Sequence, residues 1–340
     1  MKRIVLLALV SILSTSCLAQ QHPGAEEFAA KAAAEYQLDS AQIMQLLHDA
    51  RFKQSIVDAI SRPAEAKPWY EYRPIFITEK RIRGGVEFWR EHEELVQKAS
   101  EQFGVEPQII VAIIGVETFY GRITGSYRVL DALTTLSFYY PDTGNDRSAF
   151  FSRELMQFFL LGSEEGLPLR EVTGSYAGAM GLGQFMPSSY REYAVDLDDD
   201  GRRDLWSSMP DVIGSVANYL HRHGWQDGRP VTWPATVADA ADLSLVAQGD
   251  FKPKLSLAEL GAAGFAPRQP AAGSQTASSE TAGATADDTL AAVARLEEQE
   301  GHSYWLTFDN FYVITRYNRS PLYAMAVFEL SEAIRAGFAQ

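Results

Sequence analysis

The chain is short of three things. It has one cysteine in 340 residues, Cys17, so no internal disulfide can form. It has no excess of positive charge: 30 Lys and Arg stand against 44 Asp and Glu, a formal net charge of −14. Nucleic-acid binding relies on clustered Lys and Arg, so no nucleic-acid partner is expected. The leading apolar run, Ile4 to Leu13, is too short for a permanent membrane span. Internal repeats are also missing. No Gly-Lys-Ser/Thr follows the glycine-rich stretch near residue 180, which excludes a phosphate loop there.

What is present is an ordinary globular composition, 46% apolar and 22% charged, with length enough for a large core or two domains. "MKRIVLLALVSILSTSCLAQ" carries two basic residues, an apolar run and then small residues, the pattern of a secretory signal peptide over residues 1–19. Two processing routes stay open. Acylation of Cys17 would make a lipoprotein, although Ser14 stands three places before it and Leu13 comes one place early. Leu18 in second position would then favour the outer membrane. Alternatively, cleavage after Ala19 releases a soluble periplasmic chain. Both routes put the mature protein outside the cytoplasm.

The spacing of apolar residues predicts helices over 25–62, from about Val86, from Pro107, and over 148–161, 187–194, 211–223 and 321–337. "RPAEAKPWYEYRP" reads as an extended connector. Residues 231–262 and "HSYWLTFDNFYVITRYN" read as strands and loops. The Ala/Ser/Thr/Gly/Pro stretch within 267–289 reads as a flexible insertion. The expected fold class is mainly α, with some β. The expected organisation is an N-terminal helical region 20–66, a helical core 67–230, a small β-containing region 231–310 and a segment 311–340 that completes the core.

Four stretches carry chemistry. "IIVAIIGVETFYGR" ends an apolar helix on Glu117, with Gly121 as its expected cap and Ile110, Ile113 and Ile114 on the same face. Burial and the helix C-terminus disfavour its charge, and Arg122 or Arg128 could offset both. On these residues alone Glu117 is either a paired structural acid or a protonated general acid. "GSYAGAMGLGQFMPSSY" sets Ser175, Gln184 and Phe185 among glycines, which suits a close ligand approach or a tight helix crossing. "DLDDDGRRDLWSSMPD" opens as an EF-hand loop, with Asp196, Asp198 and Asp200 at positions one, three and five and Gly201 at six. Position twelve is Ser207, so closure would fall to Asp211 at position sixteen. Finally, "NFYVITRYNRSPLYAMAV" groups Tyr317, Asn318 and Tyr323 with Tyr312, a set that suits sugar recognition or core packing; Tyr312 is expected in the core. His221 and His223 lack supporting ligands and are expected at the surface.

Taken together, "YRPIFIT", "IIVAIIGVETFYGR", "LDALTTLSFYYP", "GSYAGAMGLGQFMPSSYREYAVD", "IGSVANYL" and "FYVITRYNRSPLYAMAV" resemble the lytic murein transglycosylase B family, glycoside hydrolase family 103, with its lysozyme-like core. The resemblance runs from about residue 70 onward, in family order. It implies cleavage of the MurNAc–GlcNAc bond of peptidoglycan glycan strands by a monomer. It makes Glu117 the catalytic acid and puts Tyr72, Tyr140, Ser175, Gln184, Phe185, Tyr219, Tyr317, Asn318 and Tyr323 in the cleft. It also gives a structural calcium held by Asp196, Asp198, Asp200, the Arg202 carbonyl and Asp211. One residue more than the family pattern stands before Asp211, which bears on whether the loop closes there.

Most glycosidases need two carboxylates. A lytic transglycosylase adds no water, so the MurNAc N-acetyl and 6-hydroxyl groups supply what a second carboxylate would, and an isolated glutamate suffices. Two alternatives stand beside this. A lysozyme-like hydrolase would need a second acid, with Asp131 nearest in sequence. A non-catalytic wall-binding lipoprotein would need none.

Overall fold

A computed structural model describes residues 21–62, 67–268 and 288–340. The leader 1–19, Cys17 and most of the 267–289 stretch lie outside the described residues.

Two compact units divide after Arg51. The first holds α1 (Ala25–Tyr36) and α2 (Ser40–Asp49). Between them Gln37 takes a left-handed conformation, φ 58°, and Asp39 caps α2 by accepting from the Ala41 N–H at 2.8 Å. The helical stretch expected over 25–62 is divided here, and again before α3 (Gln54–Ile60) of the second unit. Asp39 competes for the backbone as a cap residue, and apolar spacing does not register that signal.

The second unit, Phe52–Gln340, is built around helices. After α3 come α4 (Trp69–Phe76), α5 (Glu79–Glu91), α6 (Glu93–Phe103) and α7 (Pro107–Thr118). A two-residue strand β1 (Tyr127–Arg128) leads into α8 (Val129–Phe138) and α9 (Ser148–Glu165). β2 (Thr173–Gly174) pairs antiparallel with β1. Then follow α10 (Pro187–Tyr193) and α11 (Met209–Arg222). α7 is apolar on all sides and is buried from Ile109 to Val116, packed against α5, α6 and α11. Ile110, Ile113 and Ile114 are fully buried. Each contributes about 1.5–3 kcal/mol of transfer free energy, so the position of this helix is strongly fixed.

The extended connector expected over 62–74 is partly a helix. Trp69 and Tyr72, three apart, are buried on one face of α4, and that burial outweighs the hydrogen bond lost at Pro74. Residues 63–66 lie outside the described set.

A five-stranded antiparallel sheet has the order β4-β6-β7-β3-β5. Its strands are β3 (Thr232–Val237), β4 (Leu255–Ser256), β5 (Phe265–Pro267), β6 (Leu290–Glu297) and β7 (His302–Thr307). With α12 (Leu257–Ala262) it closes over its own apolar cluster, including Val246, Leu260, Phe265, Val293, Leu306 and Phe308. The strand expected to run on through 318 stops at Thr307. Residues Asp309–Tyr317 form α13 instead. Phe311, Ile314 and Thr315 share a buried face, and Asn310 is pinned by the Gln226 N–H at 2.8 Å and by the Gln226 and Arg229 carbonyls. The β-branched residues there fit a helix because that face packs. α14 (Pro321–Phe338) then lies along α7, α5, α13 and α4.

Candidate active site

The apolar run of α7 dictates where its one acid stands. Glu117 is the penultimate residue of the helix and is half-buried. The helix ends sooner than Gly121: its cap is Phe119, at φ 52°, followed by Tyr120 at φ 58° and Gly121 at φ 80°. The Phe119 N–H bonds the Gly115 carbonyl and the Tyr120 N–H the Ile114 carbonyl, two nested bonds that satisfy carbonyls of the last turn. Two consecutive non-glycine residues at positive φ cost on the order of 1 kcal/mol or more each. Packing holds them. The Tyr120 ring fits a slot between Gly84, Gly85 and Gly115, where added Cβ atoms would come within 3.2, 2.5 and 2.6 Å of it. Its hydroxyl donates to the Arg81 carbonyl at 2.9 Å. The Arg81 guanidinium lies 4.8 Å from the Phe119 ring and donates to the Gly115 carbonyl at 2.6 Å.

Tyr323, from the first turn of α14, donates its hydroxyl to Glu117 Oε1 at 2.5 Å. A charge-assisted bond of this kind is among the strong ones. Burial, and then the charge of Glu117, push the Tyr323 hydroxyl well above its ordinary value; burial and Glu117 do the same to Tyr317. Both therefore stay protonated as donors. The Tyr317 and Tyr323 rings lie nearly parallel, 12° apart, at 6.4 Å. The Tyr317 hydroxyl donates to the Gly183 carbonyl at 2.6 Å, which ties α13 to the glycine-rich segment. Tyr219 packs 4.6 Å from Tyr317 and donates to the Arg316 carbonyl at 2.6 Å.

The glycine-rich segment folds back on itself. Ser175 Oγ accepts from the Ala177 and Ala179 N–H groups, and Met180 and Phe185 pair as a bridge. Gly174 is required: a Cβ there would sit 2.1 Å from the Ala179 carbonyl. Gln184, at φ 50°, donates its amide to the Thr124 and Gly181 carbonyls. Phe185 is 2% exposed and supports Tyr317 and Tyr219 edge-on or tilted from beneath. Thr118 donates to the Leu182 carbonyl at 2.9 Å, so the residue beside Glu117 is fastened to this segment.

The structure thus brings Glu117, Tyr323, Tyr317, Tyr219, Phe185 and, through Tyr317, Gly183 and Gln184 into one neighbourhood. Tyr72 is buried against Trp69 and Phe76 and lies near Tyr323. Asn318 ends α13, its carbonyl accepting from the Ser320 N–H at 2.7 Å. Tyr140 stacks on Phe151 of α9, at 5.7 Å. His223 is not the free surface histidine expected: it is half-buried and stacks 4.1 Å from Tyr219. Sequence reasoning did not single out Arg81, Thr118 or Tyr120. The one available signal was Gly84-Gly85 inside a helix, which calls for something bulky against it.

In the Asp-rich loop, the carboxylates of Asp196, Asp198 and Asp211 come within 4.8 Å of one another. Asp211 is buried and accepts from the Leu197 and Asp204 N–H groups at 3.0 and 2.8 Å. Burial raises its pKa, and the charge of Asp198 adds to that. Asp200 accepts from the Arg202 N–H, and the turn runs through Asp199 at φ 59° and Gly201 at φ 88°. An all-oxygen set with one buried carboxylate pushed toward protonation fits a hard divalent cation, which would relieve the repulsion.

Residues 20–332 match the family model described as the transglycosylase SLT domain. Escherichia coli membrane-bound lytic murein transglycosylase B is 41% identical over 323 residues, 92% of this chain and 83% of that protein. The crystal structure of soluble lytic transglycosylase SltB1 from Pseudomonas aeruginosa superposes with a TM-score of 0.81 at 47% identity, covering 94% of this chain and 100% of that one. That of E. coli Slt35 in complex with calcium gives 0.79 at 39%, covering 94% and 95%. More distant is P. aeruginosa SltB3 in complex with NAG-anhNAM-pentapeptide, with a TM-score of 0.74 at 27% identity, covering 92% and 78%. With a family match across most of its length and a relative at this level of identity, the chain belongs to the SLT-domain lytic transglycosylases.

Proposed function

We propose that this protein cleaves the MurNAc–GlcNAc bond of peptidoglycan without adding water, with Glu117 as the single acid and base. The observation that carries the reading is the Tyr323–Glu117 bond at the end of a helix that is otherwise apolar. Glu117 protonates the leaving glycosidic oxygen. The N-acetyl oxygen of MurNAc stabilises C1. The resulting carboxylate then takes the proton of the MurNAc 6-hydroxyl as that oxygen closes onto C1. The proton ledger balances over the cycle, and the product ends in a 1,6-anhydro ring. Tyr317 and Tyr323 hold the sugar and shed water, and Tyr323 fixes the carboxyl group between the two transfers. The relative SltB3, solved with a ligand that carries anhNAM, supports this chemistry by likeness.

A hydrolase would need a second carboxylate aimed at C1. The acids most deeply buried among the described residues are otherwise engaged. Asp131 is paired with Arg128 at 2.5 Å, Glu154 accepts from the Ser188 hydroxyl and N–H, and Asp211 closes the Asp-rich loop. Attack by the tethered 6-hydroxyl is intramolecular, which can supply roughly 7–11 kcal/mol when well oriented. Digestion of sacculi in oxygen-18 water tests this by mass spectrometry. The expected muropeptides are one water lighter than hydrolytic ones and carry no heavy oxygen. Labelled reducing MurNAc ends would establish a hydrolase.

The further cleft residues of the proposal are Tyr72, Tyr140, Ser175, Gln184, Phe185, Tyr219 and Asn318. The substrate lies outside the cytoplasm, and a cell-envelope location follows from that; acylation at Cys17 or simple leader removal would each deliver the chain there. No helix among the described residues is long and apolar enough to cross a membrane.

Calcium is proposed as a structural ion held by Asp196, Asp198, Asp200, the Arg202 carbonyl and Asp211, where it would stitch the loop to the start of α11. An ion that binds only the native state adds about 2.7 kcal/mol at a hundred times its Kd. Melting with calcium is expected several degrees above melting with chelator, and Asp198→Ala should abolish the gap. Equal melts for the unaltered protein would remove the ion from this account.

A further inference from the structure

We infer that Arg81 is a positioning residue for Glu117: it neutralises the carbonyl end of α7 and, with Tyr120, locks the turn that aims the carboxyl group. The inference rests on Glu117 being the proton donor. The last carbonyls of a helix carry about half a negative charge. Here they lie one or two residues from a carboxyl group that must alternate between its two charge states. Unopposed, that end would disfavour the carboxylate that the first transfer leaves behind, and so weaken Glu117 as a proton donor. Arg81 opposes it directly, donating to the Gly115 carbonyl at 2.6 Å and reaching the Val116 carbonyl at 3.4 Å.

The geometry around the guanidinium is built to keep it there. It lies 5.2 Å from the Phe76 ring and 4.8 Å from Phe119, so both neighbours present π faces instead of competing carboxylates. The Arg81 carbonyl receives the Tyr120 hydroxyl, so one residue of α5 grips the turn from both its ends. The turn needs a grip, because Phe119 and Tyr120 both hold positive φ. Among the described residues, the charged and titratable groups facing this end of α7 include Arg81 and Lys80 from α5, Tyr120 and Arg122 from the turn, Tyr219 from α11, Tyr317 from α13 and Tyr323 from α14. Of these, Arg81 is the one whose side chain bonds the α7 carbonyls.

The test is the pH profile of muropeptide release by the full chain, read at saturating and limiting sacculi. Arg81→Gln is expected to lower turnover at least tenfold with the half-saturating concentration little changed. Losing a cation favours the protonated carboxyl, so the limb that reports Glu117 should move to higher pH, by about half a unit. Arg81→Lys keeps the charge without the fork and should return the limb while leaving turnover reduced. Unaltered turnover and limb in Arg81→Gln overturn the inference, as does a limb that lysine fails to restore. If circular dichroism shows that Arg81→Gln does not fold, Arg81→Lys decides alone: reduced turnover at unchanged half-saturation supports the role, and full turnover overturns it. Glu117→Gln is the control. Activity in that variant would defeat the reaction scheme itself; an inactive Glu117→Gln leaves the Arg81 results to judge the clamp only.

Discussion

Glu117→Gln is expected to lose roughly 10²- to 10⁴-fold in muropeptide release while melting within a degree or two of the unaltered protein. The amide has the shape of the acid and keeps an oxygen for the Tyr323 hydroxyl, which now lies 2.5 Å from Oε1. It cannot deliver a proton to a leaving oxygen or recover one. Two opposite stability terms nearly cancel. A charge-assisted bond becomes a neutral one, at a cost of about 1 kcal/mol. The variant also no longer has to hold a half-buried carboxylate among tyrosines, which returns a similar amount. Activity and stability should therefore separate cleanly. A variant that retained a tenth of normal activity would make Glu117 a structural acid and leave the transglycosylase reading without its proton donor.

Gly115→Val is expected to be the most damaging change that touches neither substrate nor Glu117. On an exposed helix, replacing glycine is favourable by up to about 1 kcal/mol. Here the sign reverses. A Cβ at 115 would come within 2.6 to 2.8 Å of three atoms of the Tyr120 side chain. The ring has little room to retreat, because the α5 backbone at Gly84 and Gly85 lies close on its other side and its hydroxyl is tied to the Arg81 carbonyl at 2.9 Å. Overpacking of this kind costs about 1–3 kcal/mol, or a drop of several degrees in Tm for a domain of this size. Moving Tyr120 breaks its bond to Arg81 and releases the turn after Glu117, so activity should fall more than tenfold at temperatures where the protein is still folded. Thermal melts paired with activity well below Tm check both parts. A stable variant with full turnover would show that the slot is only packing.

Much of the site was legible because it depends on local chemistry. One acid closing the run Ile109 to Val116 is visible in the sequence, and so is the Asp-x-Asp-x-Asp-Gly spacing. Tyr317 and Tyr323 stand out because aromatic and amide side chains gather there. What was hidden depends on contacts between distant elements. The end of α7 was expected at Gly121, since glycine is the usual left-handed residue. It falls at Phe119 because Gly115 and two glycines of α5 together make room for Tyr120, and no single stretch contains that fact. α13 read as a strand because Val313, Ile314 and Thr315 favour one, and only the buried face and Asn310 reveal the helix. Tyr140 was grouped with the other tyrosines on motif alone, and its stack on Phe151, a residue of α9, is a contact that no single stretch of sequence contains.

The bond between Tyr323 and Glu117 spans 206 positions. A ribosome therefore makes the acid long before it makes the ring that holds it. Chains emerge at about 5–20 residues per second, so for some ten to forty seconds a nascent chain carries α7 without its partner. During that interval the acid has no clamp, and the strip of α7 that α14 covers is open to solvent or to a chaperone. α14 is held along its length, with Phe338 stacked 4.0 Å from Trp89 near one end and Tyr323 on Glu117 near the other. The acid is in this way completed only once the start of α14, 206 positions beyond it, has been made, and the Phe338–Trp89 stack then fixes the far end of the same helix that holds it.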